Sequence, residues 1–236
     1  MSERTKLYHC TTADALKSII ESGYFRPSYC LEQYDFGDRI EEMAFAMVCF
    51  ADLMKEEVEW HMNQFGADSY IVMSKDWARK EAVSPVIYYS HDSITAHILK
   101  LWIQDIINHD NYDYVKLQKN LINVMIPFYK QYKGHYYIKD KKAYSTEETL
   151  FYCEREWRYI PLVLKGEAYY LSKELFLDES INRNKIKELV QHGYKLQFGI
   201  EDIEGIHVPE NKQGDFLKLL KHKFNLTTEE TSSLFE

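Results

Sequence analysis

The chain has no glycine-rich phosphate loop. Neither GxGxxG nor GxxxxGK[ST] occurs, and only nine glycines are spread over its 236 residues. Classical dinucleotide folds and P-loop enzymes build their phosphate cradles from such loops, so both classes are disfavoured. GxSxG and HExxH are missing too, which argues against hydrolases with a nucleophile elbow and against zinc peptidases. Cysteine is scarce: Cys10, Cys30, Cys49 and Cys153 form no CxxC pair, and no His stands at a zinc-finger interval from them. Two disulfides are allowed by count alone. The opening residues Met1 to Lys6 lack the apolar stretch of a signal peptide, so a reducing cytoplasm with four free thiols is expected. Positive charge is in deficit, with 29 basic against 37 acidic residues and a net charge of −8. General affinity for nucleic acid or anionic membranes is therefore not expected, and a nucleic-acid partner would need a local basic groove. No apolar run spans a bilayer, because Ile94 to Ile107 is broken by His97, Lys100, Gln104 and Asp105.

What is present is enough for a core. Hydrophobic residues make up 45% of the chain, which points to one large α+β domain without repeats or Gly/Ser linkers. Tyrosine is abundant at 19 residues. Its ring stacks and its hydroxyl bonds, so the excess fits a polar, aromatic-lined cleft; a compositional bias of surface and core fits it as well.

Hydrophobic periodicity gives the order of elements. Lys6 to Cys10 reads as a first strand. Thr11 or Thr12 caps a helix with Leu16, Ile19 and Ile20 on one face, and Gly23 stops it. Residues 24–42 read as a long loop, and Met43 to Phe50 as a strand buried on both faces. A short helix over Glu56 to Gln64 follows, then strands at Ser69 to Met73 and Pro85 to Tyr89, with helical turns between them. Residues 93–108 and 113–131 show helical spacing and form an expected helical insert at about 91–131. Phe151 to Leu164 reads as a long strand. A helix at 181–192, strands at 195–198 and 203–208 and a helix at 212–224 complete the domain, with 226–236 as a polar tail.

Three groups carry candidate chemistry. His9 ends the first strand just before a capped helix, where free backbone amides bind anions such as a pyrophosphate; a buried, backbone-bonded His is the alternative. Glu154, Glu156 and Arg158 alternate along a strand and so share one face. Two stacked carboxylates suit glycosidic chemistry, one stabilising an oxocarbenium-like sugar and the other aligning an acceptor. The alternative is a salt-bridged ladder on a solvated face. His61, beside Trp60 and before Phe65-Gly66, faces either a cleft or solvent. His91 and His97 lack metal-ligand spacing, and no metal site is expected.

The succession YHCTTADALKSIIESGYFRPS, AMVCFADL, WHMNQFG, SYIVMSKDWA, SPVIYY, FYCEREWRYIP and LQFGIEDIEGIHVPE resembles the bacterial abortive-infection protein family AbiGi over roughly residues 6–225. Its more specific pieces are Met47 to Leu53, Lys75 to Ala78, Pro85 to Tyr88 and Glu154 to Tyr159. That resemblance implies a phage-defence role and a cognate toxin or antitoxin partner. The opening segment and the late ExE triplet are also similar to DarT-like ADP-ribosyltransferases. This second resemblance implies a split mixed β-sheet with flanking helices, NAD as co-substrate, and transfer of ADP-ribose. It would make His9 a ribose contact, Thr11 its neighbour at the mouth of the site, Arg39 an NAD contact, Glu156 the catalytic carboxylate and Glu154 its acceptor-facing partner. The aromatic that stacks on nicotinamide is Tyr34, Phe45 or Phe50. On these roles Glu156→Gln would abolish NAD-linked activity and leave the fold intact. The region 91–131 has no counterpart in minimal ADP-ribosyltransferases.

Overall fold

The computed structural model describes residues 5–35, 40–138, 141–161 and 170–235. In chain order, β1 (Lys6–Thr11) leads to α1 (Ala13–Ser22), β2 (Tyr24–Phe25), β3 (Ser28–Asp35) and β4 (Ile40–Ala51). Next come α2 (Lys55–Phe65), β5 (Ser69–Ser74), α3 (Lys75–Lys80), β6 (Ser84–Pro85) and β7 (Ile87–Tyr89). The helical pair α4 (Ile94–Asn108) and α5 (Tyr112–Met125) precedes β8 (Tyr129–Gln131), β9 (Tyr137–Ile138), β10 (Ala143–Tyr144) and β11 (Glu156–Tyr159). The rest is β12 (Tyr170–Ser172), α6 (Lys173–Leu177), α7 (Glu179–Gln191), β13 (Leu196–Gln197), β14 (Ile203–His207), α8 (Glu210–Phe224) and α9 (Thr228–Ser233).

The local signals of α1 act as expected. Thr12 accepts from the Ala15 amide at 3.3 Å, and Gly23 adopts φ 75°, a left-handed position that costs a glycine little. The polar stretch 226–236 carries α9, opened by a capping box at Thr227 and Glu230, and Phe235 bridges to Ile206 of β14.

One strand organises the rest. β4 is 12 residues long and changes partners along its length. Its first part runs between β3 and β12, and its last part between β11 and β1. The large sheet follows the order β14-β5-β1-β4-β11-β6, and its described pairings are antiparallel; a parallel pairing occurs between β7 and β8. The fold is thus α+β on a large antiparallel sheet, where a mixed sheet was expected. Side chains of β4 reach four apolar clusters. Val48 and Phe50 meet α1, α3 and α8; Phe45 and Met47 meet α4; Ala44 and Ala46 meet α6 and α7; Ala51 meets α2.

Residues 24–35 and 40–42 are not the loop their polarity suggests. β3 pairs with β4 from Ser28↔Met47 to Asp35↔Ile40. Its alternation is masked because one face carries Tyr29 and Leu31 into a core while the other turns Cys30, Glu32 and Tyr34 towards buried polar partners. The expected long strand from Phe151 is also shorter. Phe151–Glu154 form a 3₁₀ turn, and β11 starts after Arg155, whose φ of 44° breaks the extended run. The end of that expected strand, 162–164, lies outside the described residues.

Leu16 is fully buried between α1 and the sheet, whereas Ile19 is only partly covered. Leu16→Ala is expected to lower unfolding stability by about 3 kcal/mol and Ile19→Ala by less than about 2 kcal/mol, measured by urea titration.

Candidate functional site

β1 and β4 pair at one position, Tyr8↔Ala51. Beyond it the strands part, and His9 spans the gap: its Nδ1 donates to the carbonyl of Cys49 at 2.8 Å. A carbonyl only accepts, so this bond places the hydrogen on Nδ1. A cavity of about 670 Å³ opens at this divergence, within the range of small-molecule sites. Its walls include Thr11 of β1, Cys30, Glu32 and Tyr34 of β3, His61 and Phe65 of α2, Lys130 of β8, and Glu154 and Glu156. Among the described residues seven tyrosines line it, including Tyr24, Tyr129 and Tyr136, as an aromatic-lined cleft would require.

The strand register divides the candidates. Glu156 pairs with Ala51 and Ala51 with Tyr8, so these three side chains share a face of the sheet. His9, the next residue along β1, points to the other face, where its ring lies 5.1 Å from that of Phe25 and 5.5 Å from that of Phe50. Burial among these rings pulls its pKa down, against the backbone bond that raises it. His9 and the carboxylates therefore border one cavity from opposite faces of the sheet. The helix terminus next to His9 is already occupied: Asp68 Oδ1 accepts from the Ala13 amide at 2.7 Å. An internal carboxylate fills the anion position that the sequence suggested for a pyrophosphate.

On the other face the charged ladder is buried, not solvated. Arg158 is fully buried. Its Nε donates to Glu156 Oε1 at 2.8 Å and its Nη2 to Glu156 Oε2 at 3.0 Å, while both terminal nitrogens bond Glu32. Nη1 also donates to the carbonyl of Pro127, which ties the end of the helical insert to the sheet. Lys130 Nζ bridges the two carboxylates, 2.6 Å from Glu156 Oε2 and 2.8 Å from Glu154 Oε2. The Glu156 amide donates to the Tyr88 hydroxyl at 2.9 Å. Arg155 orients the turn: its Nε donates to the Asp52 carbonyl at 2.6 Å and its Nη2 pairs with Glu57.

These contacts separate the two carboxyl groups electrostatically. Burial would raise the pKa of Glu156, but Arg158 and Lys130 outweigh it and hold the group well below the ordinary carboxylate range. Burial dominates at Glu154 and raises its pKa, with Lys130 opposing. Burial disfavours the charged form of Lys130, yet Glu154 and Glu156 keep its pKa well above the usual value. Burial and the charge of Lys130 pull His61 down to about 4, so it is neutral at pH 7.

Of the residues singled out in the sequence, His9, Thr11, Glu154 and Glu156 line the cavity. Tyr34 does so too, but it is buried, with its hydroxyl donating to Glu32 at 3.0 Å and its ring against Phe45. Phe50 is buried and also lines the cavity, whereas Phe45 is buried in the core and is not among the lining residues. His61 is buried against the cavity, not on a solvated helix face. Arg39 lies outside the described residues. Lys130 stood out only as a charge set inside the aromatic run Ile126 to Tyr132, and Glu32 was hidden in the apparent loop. Among the described residues, no group of three or more His, Cys, Asp or Glu could hold a metal ion, and no helix is long and apolar enough to cross a membrane.

Removing Arg158 would strand Glu32 and Glu156 in the interior. Arg158→Met is expected to cost about 3–5 kcal/mol of stability, and Glu156→Gln also destabilises rather than leaving the fold untouched. Because the folded pKa of Glu156 is depressed, its contribution is complete above the unfolded value of about 4.3 and is lost as pH falls through the lower folded value. Denaturant titrations should therefore show the gap between wild type and Glu156→Gln widest near pH 7 and narrowing below about pH 4.

No curated protein and no solved structure matches the chain. A family model does, over residues 24–209, a span that includes β3, the helical insert, β8 and β11 and therefore the whole ion-pair network. That model is described as "Putative abortive phage resistance protein AbiGi, antitoxin". With most of its length matched, the chain belongs to the AbiGi family.

Proposed function

We propose that the chain acts in phage defence as an antitoxin or sensor, which holds a nucleotide-type ligand in the cavity and a partner protein on its surface without transferring a group. The observation that carries this reading is the state of Glu156. Three hydrogen bonds from Arg158 and Lys130 fill most of the roughly four acceptor positions of its carboxylate, and the side chain is 7% exposed. A carboxylate that stabilises an oxocarbenium-like sugar has to turn an oxygen towards it. This one is turned towards the protein's own cations. The antitoxin description of the family agrees with such a role and brings with it a toxin as partner.

A surface for that partner is available on the insert. Trp102 donates to Gln118 at 2.8 Å and Tyr114 to Asp105 at 2.6 Å, which registers α4 against α5. Ala96, Leu99 and Ile106 face inwards, while Ile98, Leu101, Leu117, Leu121 and Val124 are exposed along the two helices. Apolar side chains grouped in this way mark a protein-binding face more often than isolated ones do. Leu101→Glu together with Leu121→Glu should leave the melting temperature within about 2 °C of wild type and abolish rescue of cells that co-express the cognate toxin. A large loss of stability would mean that the protein packs this face against itself.

One observation favours NAD-dependent ADP-ribosyl transfer as a second reading: His9, Thr11, Tyr34, Glu154 and Glu156 border a single cavity. Nicotinamide release separates the two. Incubation with NAD is expected to give saturable binding by calorimetry and no nicotinamide above the uncatalysed background. Steady release that Glu156→Gln removes would replace the first reading with the second.

A further inference from the structure

We infer that the α2 side of the cavity is a recognition subsite for an uncharged nucleobase bearing an exocyclic amino group, read by Glu154 and His61. The inference rests on the reading that the cavity holds a ligand. Among the described residues that line the cavity, three buried polar atoms have no hydrogen-bond partner: the Tyr137 hydroxyl, Oε1 of Glu154 and Nδ1 of His61, the last two within reach of the Lys130 charge. Glu154 and His61 are 5% and 9% exposed, and both line the cavity. Buried polar groups are rarely left unsatisfied, and two carried by side chains that line one cavity call for a molecule bonding both.

The charge balance selects the kind of molecule. Lys130 and Arg158 face Glu32, Glu154 and Glu156, two cations against three carboxylates. Asp68 already takes the nearby helix-end amide. Arg26 also lines the cavity, but at the network itself a phosphate would meet surplus negative charge, whereas a group that donates N–H to Glu154 Oε1 relieves it. His61 is neutral, so its ring offers one donor and one acceptor. Adenine, cytosine and guanine each place an amino donor beside a further ring nitrogen, which suits this pair. Uracil would set a carbonyl oxygen against the carboxylate.

The walls suit a flat ring. Phe65 lies 4.9 Å from His61 and 5.8 Å from Tyr136, centroid to centroid, and Phe151 sits under Lys130 Nζ at 4.7 Å. Stacking on such side chains tolerates any base, so discrimination falls to the two polar atoms.

The test uses phosphate-free nucleosides and the full chain. Adenosine, cytidine, guanosine, uridine and NAD are titrated calorimetrically into wild type, Glu154→Leu and His61→Phe, with melting curves to confirm folding; the Phe ring keeps the shape of His61 and removes Nδ1. At least one amino-bearing nucleoside is expected to bind, with uridine at least about tenfold weaker and each substitution costing at least about tenfold. If NAD or the nucleosides bind without base preference and both variants keep wild-type affinity, the two atoms are water sites; the subsite is then overturned and the cavity reading survives. If neither NAD nor any nucleoside binds, both are overturned.

Discussion

A fully buried guanidinium has to be neutralised where it lies, and the interior of this protein is arranged around meeting that demand for Arg158. Glu156 on its own strand and Glu32 on β3 supply the charge, and the Pro127 carbonyl takes a further hydrogen. Removing a charge from water is costly unless its partners are held in place. Here they come from β11, β3 and the exit of the helical insert, so one side chain fixes the relative position of three distant segments. Lys130 extends the network to Glu154. The interior therefore holds a connected network of opposite charges rather than a solvated ladder.

This network lies against a cavity that exists for a separate reason. β4 carries the sheet past the single β1 pairing, and the opening between those strands forms the hollow. The carboxylates border it because β11 pairs with the last residues of β4, and His9 borders it from the opposite face because it is one residue out of phase with Tyr8. Binding and bond-breaking make different demands on such a place. A binding site needs shape, aromatic walls and a few unsatisfied polar atoms, and these are present. On the proposed reading the cavity serves binding, because Glu156, the carboxylate that transfer would use, bonds Arg158 and Lys130.

Much of the fold was legible because local rules were obeyed. The cap at Thr12, the left-handed Gly23 and the apolar run of β4 each announced their element, and both helices of the insert were visible from periodicity. The second ends at Met125, however, and the expected helix over 113–131 gives way to a 3₁₀ turn at Pro127 and then to β8. β3 was not legible. Its polar face is buried by ion pairing with a residue 126 positions away, which no local pattern reports. The kink at Arg155 was hidden in the same way, since Asp52 and Glu57 from another segment hold it. Within the site, Glu154 and Glu156 were legible as an unusual pair, but their partner Lys130 follows from the parallel pairing of β7 with β8, a tertiary fact. Face assignment by alternation worked within β11 and failed between strands, because the register of β1 on β4 decides which side His9 takes.

The commitment of the carboxylates to the protein's own cations is most directly tested by titrating them individually. Carbon-13 NMR of selectively labelled glutamate side chains, assigned with the Glu154→Gln and Glu156→Gln variants, follows each carboxyl group through pH. The account predicts that Glu156 stays ionised across the range where ordinary glutamates titrate, while Glu154 takes up its proton at higher pH than they do. Two glutamates that titrate together near the ordinary value would contradict it, and would mean that both carboxylates are free to meet a substrate.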